Sequence, residues 1–152
     1  MAVSLVLTMT ASGCASGPSL KEAAAELQKD AQRLEGDKLL KNPLSKLHIF
    51  ERADKDISCG NGKFKRALQA TADYTRKDPD VDSHLDQAQR VMENTLIQAL
   101  GYTLEHDLGQ LDKTDGRLIR GAKKDLGIVV AVNVLPGSPA WRLRAETECL
   151  SR

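Results

Sequence analysis

Aromatic side chains are scarce in this sequence, with two Phe, two Tyr and one Trp among 152 residues. Any core must therefore be assembled from Leu, Val, Ile and Ala, and it will be thin. Charge of one sign is lacking as well, since 22 Lys and Arg stand against 21 Asp and Glu for a formal net charge of +1. That balance excludes nucleic acid as a partner, because binding it needs clustered cations that neutralise several phosphates. No apolar run approaches the roughly 20 residues that a membrane-spanning helix requires. The sequence has no Gly-x-Ser-x-Gly elbow and no phosphate-binding loop, and His48, His84 and His106 stand at no ligand spacing from a cysteine. The chain is thus expected to hold no catalytic residue, metal or cofactor, and not to be an enzyme. His106 between Glu105 and Asp107 comes nearest to an acid–base cluster. Neighbours along a strand point to opposite faces, however, so adjacency builds no concerted site there.

What is present fits one globular domain, with 41% hydrophobic and 28% charged residues. At its start Val3, Leu5, Val6, Leu7 and Met9 form a short apolar stretch that passes through small residues to Cys14. Residues 1–13 are expected to be a signal peptide truncated at its start, because no basic residue precedes Val3. The run Ala11-Ser12-Gly13-Cys14 resembles the lipobox of bacterial lipoproteins, departing from it at Ala11, where leucine is usual. The resemblance implies cleavage before Cys14 and two or three acyl chains on that residue, palmitate among them, since one chain alone binds a membrane only reversibly. Residues 14–18 are then the lipidated cysteine and a short tether, and residues 19–152 the domain. The competing reading is a buried apolar segment with an ordinary free cysteine.

In an exported chain with Cys14 carrying lipid, Cys59 and Cys149 remain and are expected to pair in the oxidising compartment. A bridge closing so long a loop is worth about 4–5 kcal/mol in the chain-entropy account. In a cytosolic chain the same two residues are free buried thiols.

Ser19 and Glu22 form a capping box ahead of Leu20, Ala24, Leu27, Ala31 and Leu34, an apolar stripe that ends near Gly36. After Asn42-Pro43, Leu47 and Ile49 suggest a short strand, and Gly60-Asn61-Gly62 a turn directly behind Cys59. From Phe64 to Tyr74 the alternation predicts a strand interrupted only by Arg66. Asp78, Asp80 and Asp82 imitate the opening of a calcium loop, but Ser83 and Gln89 occupy the positions that need glycine and glutamate. They are better read as the acidic N-terminus of a helix carrying Leu85, Ala88, Val91, Met92, Leu96 and Leu100 and stopped by Gly101. Strands are predicted over 102–108, 117–122, 128–134 and 141–149, the last with Trp141 and Cys149 turned inward. The fold class expected is α+β: two helices packed on one face of a mainly antiparallel sheet, with an α-β-β pseudo-repeat conceivable.

The lipobox, the Cys59-Gly60-Asn61-Gly62 run, the helix ending Leu100-Gly101-Tyr102 and the closing stretch from Trp141 to Leu150 together resemble the small uncharacterised lipoproteins of actinobacteria. The resemblance spans nearly the whole chain and implies the extracytoplasmic face of the cell membrane as location and a disulfide, but no catalytic residue. Two function classes follow. The first is a structural or interaction module that recognises another envelope protein. The alternative is a domain that binds or senses a small molecule, lipid or wall fragment, which would need a sizeable apolar pocket. Lys63, Lys65, Arg66, Arg142 and Arg144 could gather on strand faces, but Glu146 and Glu148 dilute them, and a solvated face is the expectation.

Overall fold

The computed structural model describes residues 17–36, 44–74, 79–106 and 114–152. The expected leader, Cys14, Asn42-Pro43, Asp78 and the end of the strand predicted over 102–108 lie outside the described residues. Helix α1 (Leu20–Gly36) starts on the capping box. The Ser19 amide donates to Glu22 Oε2 at 3.0 Å, and the Glu22 amide donates back to Ser19 Oγ at 3.3 Å. Its buried face is the expected stripe with Ala23 and, unexpectedly, Asp30.

Strands β1 (Leu44–Arg52), β2 (Ile57–Gly60), β3 (Lys63–Lys65) and β4 (Ala67–Tyr74) follow. Helix α2 (Val81–Asn94) is capped by Asp80, whose carboxylate accepts the Ser83 amide at 2.8 Å. It continues into one turn of π-helix at Thr95–Ala99 and ends before Gly101, whose φ of 77° suits only glycine comfortably. Strands β5 (Thr103–Glu105), β6 (Arg117–Lys123), β7 (Ile128–Val134) and β8 (Trp141–Thr147) follow, with a 3-10 turn at Lys124–Leu126 between β6 and β7. An α-β-β unit used twice would give each helix two strands; α1 is followed by two strands of the main sheet and α2 by four.

Six strands form one antiparallel sheet in the order β1-β4-β8-β7-β6-β5, and β2 with β3 makes a separate hairpin. Both helices lie on one face, α1 over β1, β4 and β8, and α2 over β6 and β7. Alternation decides what meets them. Val130 and Val132 of β7 stand opposite Ala145 and Leu143 of β8, which stand opposite Leu68 and Ala70 of β4, all buried. The single Trp carries much of this aromatic-poor core: Trp141 is 1% exposed, donates its indole N–H to the Ala88 carbonyl at 3.1 Å and meets Tyr74 edge-on at 5.3 Å. Gly121 lets β5 close on β6, because a Cβ there would stand 2.9 Å from the Thr103 carbonyl oxygen. On the other edge, β1 slips register against β4 twice, between Ser45 and His48 and between Ile49 and Glu51, with Lys46 at φ 61°.

Four sequence expectations need correction. The strand at Leu47 and Ile49 is not short but nine residues long. The stretch from Phe64 to Tyr74 is two strands, because Arg66 turns the chain out of the sheet. Its guanidinium holds Asp56 at 2.7 Å and the Ala53 carbonyl at 3.0 Å. Of the strand predicted from Tyr102, only Thr103–Glu105 is paired among the described residues. Cys149 does not face inward: β8 stops at Thr147, the Glu148 amide bonds the Gly127 carbonyl at 2.7 Å, and the chain swings toward the hairpin. There Cys59 and Cys149 form a disulfide with 6.0 Å between their Cα atoms, and both residues are exposed.

Candidate functional site

The sheet has two faces, and among the described residues helices pack on one of them. On the other, residues of neighbouring strands line up in rows. Arg142 stands between Thr71 of β4 and Asn133 of β7. Arg144 stands between Gln69 and Ala131, and beyond Ala131 comes Arg120 of β6. With strands about 4.8 Å apart, three guanidinium groups are thus distributed over one polar surface. Val129, 46% exposed, and the half-buried Ala131 supply an apolar floor beside them.

The charges on this face are not equivalent. Glu146 accepts from Arg144 at 2.8 Å and from Lys65 at 3.2 Å. Partial burial works against it, yet these two cations hold its carboxyl below the ordinary range. Arg120 and Arg142 are exposed and ion-paired with no described residue. A guanidinium presents a planar fork of donors that matches a carboxylate or phosphate in two bonds at once, and Asn133 and Thr71 add neutral hydrogen-bonding groups beside Arg142.

Three other features lie elsewhere in the molecule. Between α1 and the sheet, the space lined by Leu34, Leu47, Met92, Trp141 and Leu143 amounts to about 10 Å³, room for a single water at most. An open cleft of about 250 Å³ lies between α1 and the end of β1, lined by Gln28, Ala31, Gln32, Arg52 and Asp54. Its one arginine is engaged, since Arg52 pairs with Glu35.

The third feature is a buried ionic cluster. Asp30 is fully buried and accepts from Lys123 Nζ at 2.8 Å and 2.9 Å, from the Tyr102 hydroxyl at 2.9 Å and from Arg33 at 3.1 Å. Lys123 also reaches Glu26 at 2.9 Å and lies 4.7 Å from the centre of the Tyr102 ring. Burial pushes the Asp30 carboxyl up, while Lys123 and Tyr102 pull against it. Glu26 is only partly buried, and the hydrogen bonds from Lys123 and Arg33 outweigh that, holding it down at about 2. Burial, joined by the Asp30 carboxylate, drives the Tyr102 phenol upward. Every oxygen of Asp30 meets a donor, so the cluster clamps α1 to β6 and leaves no side open to a substrate. A similar clamp fastens α2, where buried Arg117 pairs with Asp82 and, at 3.2 Å, with Asp86.

No family model, curated protein or solved structure matches the chain. The site therefore rests on its own geometry.

Of the residues singled out in the sequence, Cys59 and Cys149 are joined, and Cys14 lies outside the described residues. The five basic residues do not gather: Arg142 and Arg144 share the open face, Lys65 reaches it only through Glu146, Lys63 sits on the hairpin, and Arg66 is spent on Asp56. Glu148 lies past the end of β8 and does not dilute them. His106 is exposed at the end of β5, His48 lies 6.0 Å from the Phe50 ring and His84 5.2 Å from Tyr74. Among the described residues, no three His, Cys, Asp or Glu stand close enough to hold a metal ion. Sequence reading missed Arg120, although the alternation of Leu118, Arg120 and Ala122 with Ile119 and Gly121 carries the signal.

Proposed function

We propose that the chain is a membrane-anchored extracytoplasmic lipoprotein whose domain is an interaction module, docking another envelope protein on the open face of the sheet. The observation that carries this is the contrast between the two faces. On the helix side the space lined by Leu34, Met92 and Trp141 holds one water at most, while the other side exposes Arg120 and Arg142 around Val129 and Ala131. An apolar floor with arginine beside it is the composition of protein interfaces; Glu105 stands opposite Arg120 on the edge strand, which leaves Arg142 as the cation best placed to meet a partner's carboxylate.

Export is supported by the Cys59–Cys149 bridge, since both sulfurs belong to exposed residues and such bridges persist in oxidising compartments. Anchoring is supported by the lipobox resemblance at Cys14, and the likeness to the small actinobacterial lipoproteins, carried by that run together with Cys59–Gly62, Leu100–Tyr102 and Trp141–Leu150, agrees with it. Mass spectrometry of the membrane-bound protein should find a mature chain that begins at acylated Cys14. For the docking face, a photo-crosslinker at Asn133 should trap a discrete partner in intact envelope, and Arg120→Glu with Arg142→Glu should abolish the product. An unmodified Cys14 thiol, or a crosslink indifferent to both arginines, refutes the respective half of the reading.

The alternative, a ligand-binding domain, draws on the 250 Å³ cleft with Gln28, Gln32, Arg52 and Asp54 at its walls. Those groups suit a small polar molecule. Binding there should be lost in Gln32→Ala and kept in Arg142→Glu, the reverse of the docking pattern.

A further inference from the structure

We propose that the Cys59–Cys149 bridge is a redox latch: when a dithiol protein reduces it, the β2–β3 hairpin and the C-terminal tail part from each other while the six-stranded sheet and both helices stay folded. The latch is independent of the docking face and of lipid on Cys14.

The bridge ties two arms, each rooted separately in the core. The hairpin arm leaves the main sheet after Ala53 and returns at Ala67. Its base is closed by the Ala53 amide, which donates to the Ala67 carbonyl at 2.7 Å, and by the Arg66 guanidinium on the Ala53 carbonyl at 3.0 Å. Next to that base Lys65 holds Glu146 of β8 at 3.2 Å. The tail arm leaves β8 at Thr147, whose amide donates to the Arg66 carbonyl at 3.0 Å, and the Glu148 amide holds Gly127. Ala53, Ala67 and Thr147 are all buried. Beyond these roots, residues 57–65 of the hairpin contribute no buried side chain, and of residues 149–152 only Leu150 is shielded, and that in part.

Apart from the bridge, what joins arm to arm lies at the surface. Phe64 and Leu150 exchange backbone hydrogen bonds at 2.9 Å. Arg152 reaches Asp56 at 2.9 Å and stands 4.1 Å from the centre of the Phe64 ring, with 67% of its side chain in solvent. Exposed ion pairs of this kind stabilise little. The bridge, by contrast, closes a loop of sequence separation 90 and is the strongest link between the arms. Both cysteines are exposed, so a thiolate reaches a sulfur without prior unfolding, and accessible bridges are the labile ones.

Exchange runs in two steps. A thiolate of the dithiol protein attacks one sulfur of the bridge and forms a mixed disulfide, while the other sulfur leaves as a thiolate and takes up a proton. The second thiol of the dithiol protein then attacks that mixed disulfide, closes its own bridge and releases the remaining cysteine as a thiol. Two electrons and two protons have passed to Cys59 and Cys149. The parted arms uncover the half-buried Phe64 and Leu150 and free the outer edge of β3, and the Ser151 carbonyl leaves the first amide of α1, on Leu20, which it meets at 3.0 Å. The reduced form thus presents an apolar strand edge that the oxidised form keeps paired.

The test treats the folded full-length protein with dithiothreitol in the absence of denaturant. Three quantities are followed: alkylation of Cys59 and Cys149, tryptic cleavage after the exposed Lys63, and the emission of buried Trp141. Both cysteines should become alkylated, and cleavage after Lys63 should rise at least about tenfold, because it tracks the population of the open arm. Cuts after Arg142 and Arg144 in β8 should come later, and Trp141 should keep its emission wavelength. Oxidised glutathione should restore protection at Lys63, and Cys59→Ser with Cys149→Ser should be cut like the reduced protein whether or not dithiothreitol is present. A bridge that yields only in urea, cleavage after Lys63 no faster on reduction, or protection that does not return on oxidation overturns the latch. So does a red-shifted Trp141, which would mean that the whole domain loosens rather than two arms.

Discussion

Asp30 is the residue on which α1 depends most. It sits three positions after Leu27 and four before Leu34, in phase with the apolar stripe, so its carboxylate goes into the core with them. Its partner Lys123 lies 93 residues away, which is why the stripe was legible in the sequence and the ion pair was not. Lys123→Met leaves the buried carboxylate without its main partner and should cost about 3–5 kcal/mol in urea unfolding. The double variant Lys123→Met with Asp30→Leu, which removes the charge as well, should recover most of that loss. Glu26 adds a pH dependence. Its carboxyl titrates at about 2 in the folded protein against an ordinary 4.5, so the stability it contributes is complete above about pH 5 and lost as pH falls toward 2. Asp30 shifts the opposite way and blurs this in the wild type alone. The difference in unfolding free energy between wild type and Glu26→Gln reports it together with the relief of Asp30 from its charged neighbour, and should shrink as pH falls toward 2.

At the scale of elements, periodicity was a sound guide wherever one face of an element is buried along its whole length. α1, α2, β7 and β8 all qualify, and they stand where their apolar spacing puts them. It failed where the backbone leaves the sheet while the alternation of residue types continues. Glu148 and Cys149 keep the polar–apolar rhythm of β8 although the chain has already turned toward Gly127 and the hairpin. Lys63 to Lys65 keep the rhythm of β4 across the break at Arg66. The β2–β3 hairpin is held by Leu150, the Arg66–Asp56–Arg152 chain and the disulfide. Replacing Cys59 and Cys149 by serine together should therefore lower stability by about 4–5 kcal/mol, because the bridge closes a loop of sequence separation 90. Hydrogen exchange should show the largest gain in rate at the amides of Phe64 and Leu150, ahead of the central strands.

For the molecule as a whole, an α+β fold with helices packed on one face of a mainly antiparallel sheet follows from the order and polarity of the segments, and it is what the described residues adopt. The arginine-bearing face could not be read the same way. Arg120, Arg142 and Asn133 belong to three different strands, and only the cross-strand register sets them side by side. Because neither arginine takes part in packing, Arg120→Glu and Arg142→Glu should change unfolding free energy by no more than about 0.5 kcal/mol each. Loss of the Asn133 crosslink in a variant with unchanged thermal unfolding then reports on recognition alone. A fall in melting temperature would instead assign those side chains to the scaffold.

The two register slips along β1 reach beyond its pairing with β4. A sheet that ends on a long straight strand offers its free amides and carbonyls to any other chain, and fibres grow from such margins. Here the margin is kinked twice, with Lys46 thrown into a left-handed turn, so a second molecule approaching side-on finds no continuous ladder to extend. Neighbouring copies are thereby kept from zipping into one another.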